Sequence, residues 1–328
     1  EVTGCRPDSL SDDILYSTEP LVLRGLTADW PLVQAAKQSS AQAESYILQF
    51  DSGQQLTAYR GEPEIDGRIF YNQDFSGFNF ERIRLPLAEV FENLREYGSQ
   101  TQPPTLYVGS TMVDNWLPEL RRDNDLVLEG QDPLVSIWIG NRSRIAAHYD
   151  FPTNIACSVA GRRRFTLFPP EQLENLYVGP IDFTPAGQSI SLVDFANPDF
   201  EAYPKFREAM QAAQVVELEP GDAILIPSMW WHHVESLDDM NILINYWWRN
   251  TPAYMGTPVN VLQHAIMGIR ELPPEQREAW REIFDHYVFN ADDENYQHIP
   301  EPARGVLNRL DETAARQIHS LLLSKFKR

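Results

Sequence analysis

Two short stretches of this 328-residue chain carry side chains that together suit a reactive metal: His148-Tyr149-Asp150 and, far downstream, Trp230-Trp231-His232-His233. Two imidazoles and one carboxylate can hold one face of an octahedral iron and leave the other face open for substrate and oxygen. In an extended strand, His148 and Asp150 are two positions apart and point to the same side, so one segment supplies both a nitrogen and an oxygen. His232 and His233, as strand neighbours, face opposite sides; only one of them reaches the metal, and alternation alone does not choose. An isolated His-x-Asp triplet arises by chance, and a His pair can be the polar edge of a Trp-rich core. The surrounding residues shift the balance.

The first of these is Arg163, in the segment Gly161-Arg162-Arg163-Arg164-Phe165-Thr166-Leu167-Phe168. Alternation puts Arg163 on the apolar side with Phe165 and Leu167, whereas Arg162 and Arg164 share a side with Thr166. A guanidinium among apolar side chains is costly unless an anion meets it, and a small dicarboxylate gripped by a bidentate fork would serve. An internal Asp or Glu, or the opposite register, is the competing explanation. Asn154 and Asn245 interrupt otherwise apolar strand segments, and a buried amide needs partners that a bound carboxylate or metal-bound water can supply. Each alone is more often a satisfied core amide; beside a metal triad they read as a lining. The run Glu219-Pro220-Gly221-Asp222 forms a tight turn feeding Ala223-Ile224-Leu225-Ile226-Pro227, which ends just before the double Trp and so fixes the approach to His232.

These residues need a scaffold of short strands. From Thr105 to Arg249 the sequence shows apolar segments separated by Pro, Gly and Asp: Thr105–Gly109, Leu134–Gly140, Asn154–Ala160, Arg163–Phe168, Val215–Leu218, Ala223–Ile226, His232–Ser236 and Asn241–Trp248. That pattern predicts a jelly-roll or cupin barrel. A long insertion, roughly residues 169–214, opens with a helix-like Pro170-to-Leu176 stretch, and insertions of this kind shape the mouth of a barrel. Ahead of the barrel, Pro20 to Gly25 reads as a strand and Leu85 to Tyr97 as a helix with Leu87, Val90, Phe91 and Leu94 on one face and Gly98 at its end. After Pro258 the period becomes helical, with stripes through Leu262 and Ile269, Trp280 and Val288, and Val306 and Leu322. Those stripes need a partner, either the barrel or a copy of themselves in a second subunit. The expected layout is a flanking α/β segment over 1–104, a barrel core over 105–257 and a helical region over 258–328.

Composition narrows the function classes. A formal charge of −20 repels a phosphate backbone, which argues against nucleic acid as a partner. No apolar stretch approaches the ~18 residues that would span a bilayer, so no membrane association is expected. Two cysteines, Cys5 and Cys157, give neither a disulfide framework nor a zinc-finger spacing, and a reducing, cytoplasmic setting is the expectation. The chain opens on Glu1 rather than Met, which leaves room for a preceding segment. There is no Gly-x-Ser-x-Gly elbow, no P-loop and no Gly-x-Gly-x-x-Gly fingerprint. A zinc hydrolase would use two His and an Asp but leave the inward Arg163 without a purpose.

Taken in order, Ala147-His148-Tyr149-Asp150, Asn154, Gly161 to Gln172, Pro220-Gly221-Asp222, Ile226 to Ser236 and Asn245-Tyr246-Trp247 resemble the JmjC and cupin-like 2-oxoglutarate oxygenases, most closely the factor-inhibiting-HIF type of hydroxylase. The likeness extends to Val193 to Asp199, Leu23-Arg24-Gly25 and Asp29-Trp30-Pro31, and so covers most of the chain. It implies a double-stranded β-helix. It also implies that His148, Asp150 and His232 are the ligands of Fe(II), the first His of the pair being the ligand in the family. Tyr107, Asn154 and Asn245 match positions lining the 2-oxoglutarate pocket. Arg163 stands where this family type carries a lysine for the distal carboxylate, and Ile145 where it carries a threonine. The helical tail resembles the family's dimerisation helices, which implies a homodimer. The expected activity is hydroxylation of a C–H bond on a protein side chain or a small molecule, using O2 and 2-oxoglutarate and releasing succinate and CO2. Tyr149, Trp231 and the insertion are expected walls of the substrate channel. A non-enzymatic cupin acting as a binding module, and a metal cupin independent of 2-oxoglutarate, are the alternatives.

Overall fold

The computed structural model describes residues 1–326; the last two residues of the expected helical region lie outside the described residues. Two sheets face each other and form the barrel. Label the central strands β1 (Thr105–Met112), β2 (Leu134–Gly140), β3 (Ser143–Tyr149), β4 (Thr153–Ala160), β5 (Arg163–Phe168), β6 (Gln214–Leu218), β7 (Ala223–Ile226), β8 (Trp231–Ser236) and β9 (Asn241–Trp248). The larger sheet runs from Val2–Thr3 and Leu21–Arg24 through β7, β4, β9, β2 and β1 to Leu56–Gly61 and Glu81–Leu85. The smaller runs β6, β5, β8, β3 and ends on Arg68–Ile69. The expected class, mainly β with helical additions on a cupin-type barrel, is the observed one.

Strand alternation divides the larger sheet cleanly. Val135, Ile137 and Ile139 of β2, Ile155, Cys157 and Val159 of β4, and Ile242, Ile244 and Tyr246 of β9 pack into the main core with the N-terminal segments, among them Leu23, Trp30, Ile47, Phe91 and Leu94. The residues between them, Trp138, Ala156 and Leu243, belong instead to a second cluster inside the barrel with Phe165, Ile224 and Val234. Both faces of these strands are therefore buried, which is why they read as near-continuous apolar runs. Each fully buried large side chain contributes about 1.5–3 kcal/mol to the fold.

Two turns aim the site-bearing strands. Between β4 and β5, Gly161 has φ +69°, and a Cβ there would fall 2.4 Å from Asn241 Oδ1, so only glycine closes the turn that delivers Arg163. Before β7, Asp222 accepts from the backbone N–H groups of Gly25 (2.9 Å) and Glu219 (3.1 Å) and pairs with Arg24 at 2.7 Å. That network ties the N-terminal segment to the strand leading toward His232.

The flanking helix spans Leu87–Tyr97 and buries Leu87, Val90, Phe91 and Leu94 as the periodicity predicts. It begins two residues later than expected because Leu85 precedes Pro86, whose ring disfavours the helical conformation in the residue before it. The helix-like Pro170-to-Leu176 stretch is only a 3-10 turn over Pro170–Leu173; Leu173 is exposed, so a longer helix would have no face to bury. Other parts of the insertion, including the helix Phe206–Ala212, cover the outer face of the smaller sheet with Phe168, Leu176, Val193, Phe206 and Trp231 in one cluster.

The chain divides into two compact units, residues 1–250 and residues 251 onward. The second holds helices Pro258–Ile269, Pro274–Phe284 and Glu312–Phe326. The expected stripe from Val306 to Leu322 is interrupted because Asp311 accepts from the N–H of Ala314 at 2.8 Å and starts the last helix there. Within this unit, Leu262, Ile266, Ile269, Trp280 and Phe284 line an open groove, and Val261, Met267 and Phe289 are 60%, 70% and 76% exposed. Among the described residues no helix is long and apolar enough to cross a membrane.

Candidate metal centre

The two faces of the barrel enclose a cavity of about 340 Å3. Into it the larger sheet sends Tyr107, Trp138, Asn154, Ala156, Leu243, Asn245 and Trp247, and the smaller sends Ile145, His148, Arg163, Phe165, His232 and Val234. The predicted metal ligands His148, Asp150 and His232 and the predicted co-substrate residues Tyr107, Asn154, Arg163 and Asn245 all line this one space.

His148, Asp150 and His232 present ligand atoms within 4.8 Å of one another. His148 and His232 are paired across β3 and β8, with ring centroids 4.3 Å apart, and His232 Nε2 lies 3.7 Å from Asp150 Oδ2. Each imidazole is held by its own strand. Nδ1 of His148 is 2.9 Å from the Ala146 carbonyl, and Nδ1 of His232 is 3.0 Å from that of Trp230. A carbonyl accepts only, so both rings donate through Nδ1 and turn Nε2 to the cavity, the orientation a metal requires. Burial, and then the neighbouring His148, push the His232 pKa down to about 4, which keeps its Nε2 lone pair available at neutral pH. Asp150 accepts from the Trp247 indole N–H at 3.2 Å.

Pairing resolves the choice between the two histidines. Along β5 and β8, Arg163 stands opposite Ser236, Phe165 opposite Val234 and Leu167 opposite His232, so His232 shares the inward face. His233 points the other way, stacks on Phe195 at 4.5 Å and is pushed down to about 3, first by burial and then by Arg144. The pairing of β3 with β8 slips between His232 and Val234, so that Ala146 and Ala147 together face His233. This bulge brings Ile145, three residues from His148, onto the cavity as well.

Arg163 is 2% exposed, its Nε has no hydrogen-bond partner, and burial lowers its pKa to about 10 with only Tyr107 opposing. It remains a cation at neutral pH with no carboxylate paired to it among the described residues. Tyr107 is itself buried and its phenol is pushed upward by that burial, so it stays protonated. The two asparagines touch each other: Asn245 Nδ2 donates to Asn154 Oδ1 at 3.2 Å, and Asn245 Oδ1 accepts from Trp138 Nε1 at 2.7 Å.

A family described as "Cupin-like domain" matches residues 7–254. The chain belongs to the cupin-like domain family. Its relatives include the Arabidopsis thaliana protein named "Lysine-specific demethylase JMJ31", 32% identical over 37% of this chain and 23% of the relative. The Rattus norvegicus "HSPB1-associated protein 1" is 27% identical over 74% of this chain and 51% of its own. The Gallus gallus "tRNA wybutosine-synthesizing protein 5" is 31% identical over 40% and 43%. The alignments thus span about half or less of these curated relatives. The resemblance read from the sequence is to this same family, and the cupin-like segment contains every residue of the cavity.

Sequence reasoning passed over Trp138 and Trp247 as site residues, along with Tyr59, Ser110 and Pro152, which line the same cavity. Alternation held the signal for both tryptophans, since each lies between two core positions of its strand. Two expected channel walls lie elsewhere. Trp231 is buried in the cluster beneath the insertion, and Tyr149 packs edge-on against it at 4.9 Å; both face away from the cavity because they alternate with His232 and His148. From the insertion, only Pro185, Ala186, Gln188 and Ile190 reach the cavity.

Proposed function

We propose that this cupin-like protein is an Fe(II)- and 2-oxoglutarate-dependent dioxygenase that hydroxylates a C–H bond of a protein side chain or a small molecule. The observation that carries the reading is the unpaired, buried Arg163 lining the same cavity as a His-Asp-His cluster. A cation held without an anion costs several kcal/mol, and an anionic ligand is the economical explanation for its retention.

The residues fit the groups. His148, Asp150 and His232 would hold Fe(II), whose preference for two imidazoles and one carboxylate they meet. When bound, the metal with O2 and 2-oxoglutarate supplies the oxidising chemistry, R–H becoming R–OH as 2-oxoglutarate becomes succinate and CO2. Arg163 binds the far carboxylate through its fork, and Tyr107, protonated, donates to the same end. Trp247 fixes the carboxylate plane of Asp150. Phe165, Leu243, Val234 and Ile145 exclude water from between these groups.

The test is turnover without a target: succinate formation from 2-oxoglutarate in the presence of Fe(II), lost in Asp150→Ala. Absence of 2-oxoglutarate binding at millimolar concentration would overturn the reading. As a further part of this reading, the protein is a homodimer joined through its C-terminal unit, supported by the apolar side chains that unit leaves exposed.

A further inference from the structure

We propose that Trp138 is a positioning residue that sets the polarity of the Asn245–Asn154 amide pair, so that the cavity meets its anionic co-substrate with an N–H and not a carbonyl. The inference rests on the co-substrate reading above.

An asparagine side chain can turn its oxygen or its nitrogen to a given neighbour, and nothing in the amide itself chooses. Here the choice is forced from outside the pair. The Trp138 indole has a donor and no acceptor, and its Nε1 lies 2.7 Å from Asn245 Oδ1. Asn245 must therefore aim its NH2 at Asn154, whose Oδ1 accepts at 3.2 Å. Both acceptors are then used, and the outward end of the relay is the Asn154 NH2. Turning either amide over would set two donors or two acceptors against each other in a space where Asn154 and Asn245 are 5% and 1% exposed. The cost of such a buried mismatch locks the relay in one direction.

Strand geometry explains why Trp138 can do this. It sits across from Leu243 in the β2–β9 pair, one inward step from Asn245, and Trp247 stands opposite Asn154 in the β9–β4 pair. The Trp138 ring is wedged between Tyr107 and Trp247, with centroids 5.8 Å from each, which removes its freedom to swing away. An acceptor aimed inward by Asn154 would repel a carboxylate; a donor joins Arg163 in binding it.

The experiment uses the full chain loaded anaerobically with Mn(II) as a redox-silent stand-in, titrated with 2-oxoglutarate. Trp138 is replaced by Phe and, in a second variant, by 3-benzothienylalanine, which keeps the indole shape and puts sulfur where the N–H was. The dissociation constant for 2-oxoglutarate is expected to rise roughly five- to tenfold in both, with Mn(II) affinity unchanged. In an Asn245→Ala background the benzothienyl exchange should have no further effect, because the residue acts only through Asn245. Wild-type 2-oxoglutarate affinity in the benzothienyl variant, or equal losses of Mn(II) and 2-oxoglutarate, would overturn the proposal. If the unaltered protein binds no 2-oxoglutarate, the co-substrate reading fails, and the side-chain amide proton resonances of Asn245 and Asn154 judge the relay by themselves. They should shift together on the benzothienyl exchange, and no shift refutes it.

Discussion

The Trp247 indole N–H donates to Asp150 Oδ2 at 3.2 Å, joining β9 of the larger sheet to the carboxylate at the end of β3 in the smaller one. A carboxylate left to rotate loses part of its affinity for a metal, and outer hydrogen-bond partners are worth about 10–100-fold in binding. Trp247→Phe is therefore expected to weaken Mn(II) binding by roughly tenfold, and Asp150→Ala to abolish it at micromolar concentrations. Isothermal titration of the metal-free protein checks both; full affinity in the Phe variant would show that Asp150 is held by other means.

Replacing Arg163 by Met removes a buried cation that has no partner in the ligand-free protein. The apolar replacement is expected to raise the stability of that form by roughly 1–4 kcal/mol and, on the proposed reading, to abolish the additional stabilisation expected from 2-oxoglutarate. Thermal unfolding with and without millimolar 2-oxoglutarate separates the two effects. A lower melting temperature in the ligand-free variant would mean that an internal acid already neutralises Arg163.

Acid should destabilise the metal-free protein well above the pH at which carboxylates titrate. His232 and His233 are depressed from 6.5 to about 4 and about 3. The unfolded chain therefore binds protons that the folded one refuses. Their contribution is complete above pH 6.5 and is lost as pH falls through the window below it. Each histidine contributes a slope of up to about 1.4 kcal/mol per pH unit. Urea unfolding between pH 7 and 5 reads that slope, and His233→Phe, which keeps the stack on Phe195, should reduce it by one proton. An unchanged slope would place the protons elsewhere.

If the C-terminal unit pairs with its copy, light scattering should give twice the chain mass, and Leu262→Glu with Trp280→Glu should give the mass of one chain. On the proposed reading, succinate formation should outlast that separation. A monomeric unaltered protein at ten micromolar would end the dimer reading.

Much of this site was legible because strand alternation is a strict rule. Arg163 could be assigned to the inward face from Phe165 and Leu167 alone, and the segments Leu134–Gly140, Arg163–Phe168, Ala223–Ile226 and Asn241–Trp248 are the observed strands to the residue. The choice of His232 over His233 needed the β5–β8 register, which depends on residues far apart in sequence and so leaves no local trace. Strand β3 was not delimited as a segment because Arg144, Ala146 and Ala147 carry little β preference and the bulge breaks the period of two. Trp138 was hidden by its company: between Ile137 and Ile139 it reads as one more core residue unless the face is asked for.

The irregular stretch that carries Pro185, Ala186 and Gln188 to the cavity is pinned from behind. Phe183 stacks on Phe78 at 4.8 Å, and its carbonyl accepts from the Tyr71 hydroxyl at 2.5 Å. None of these three contacts a proposed metal ligand through a strand pairing. On the proposed reading, drift in this short stretch would reshape what the cavity admits while the three metal-ligating side chains keep their places on the strands behind it.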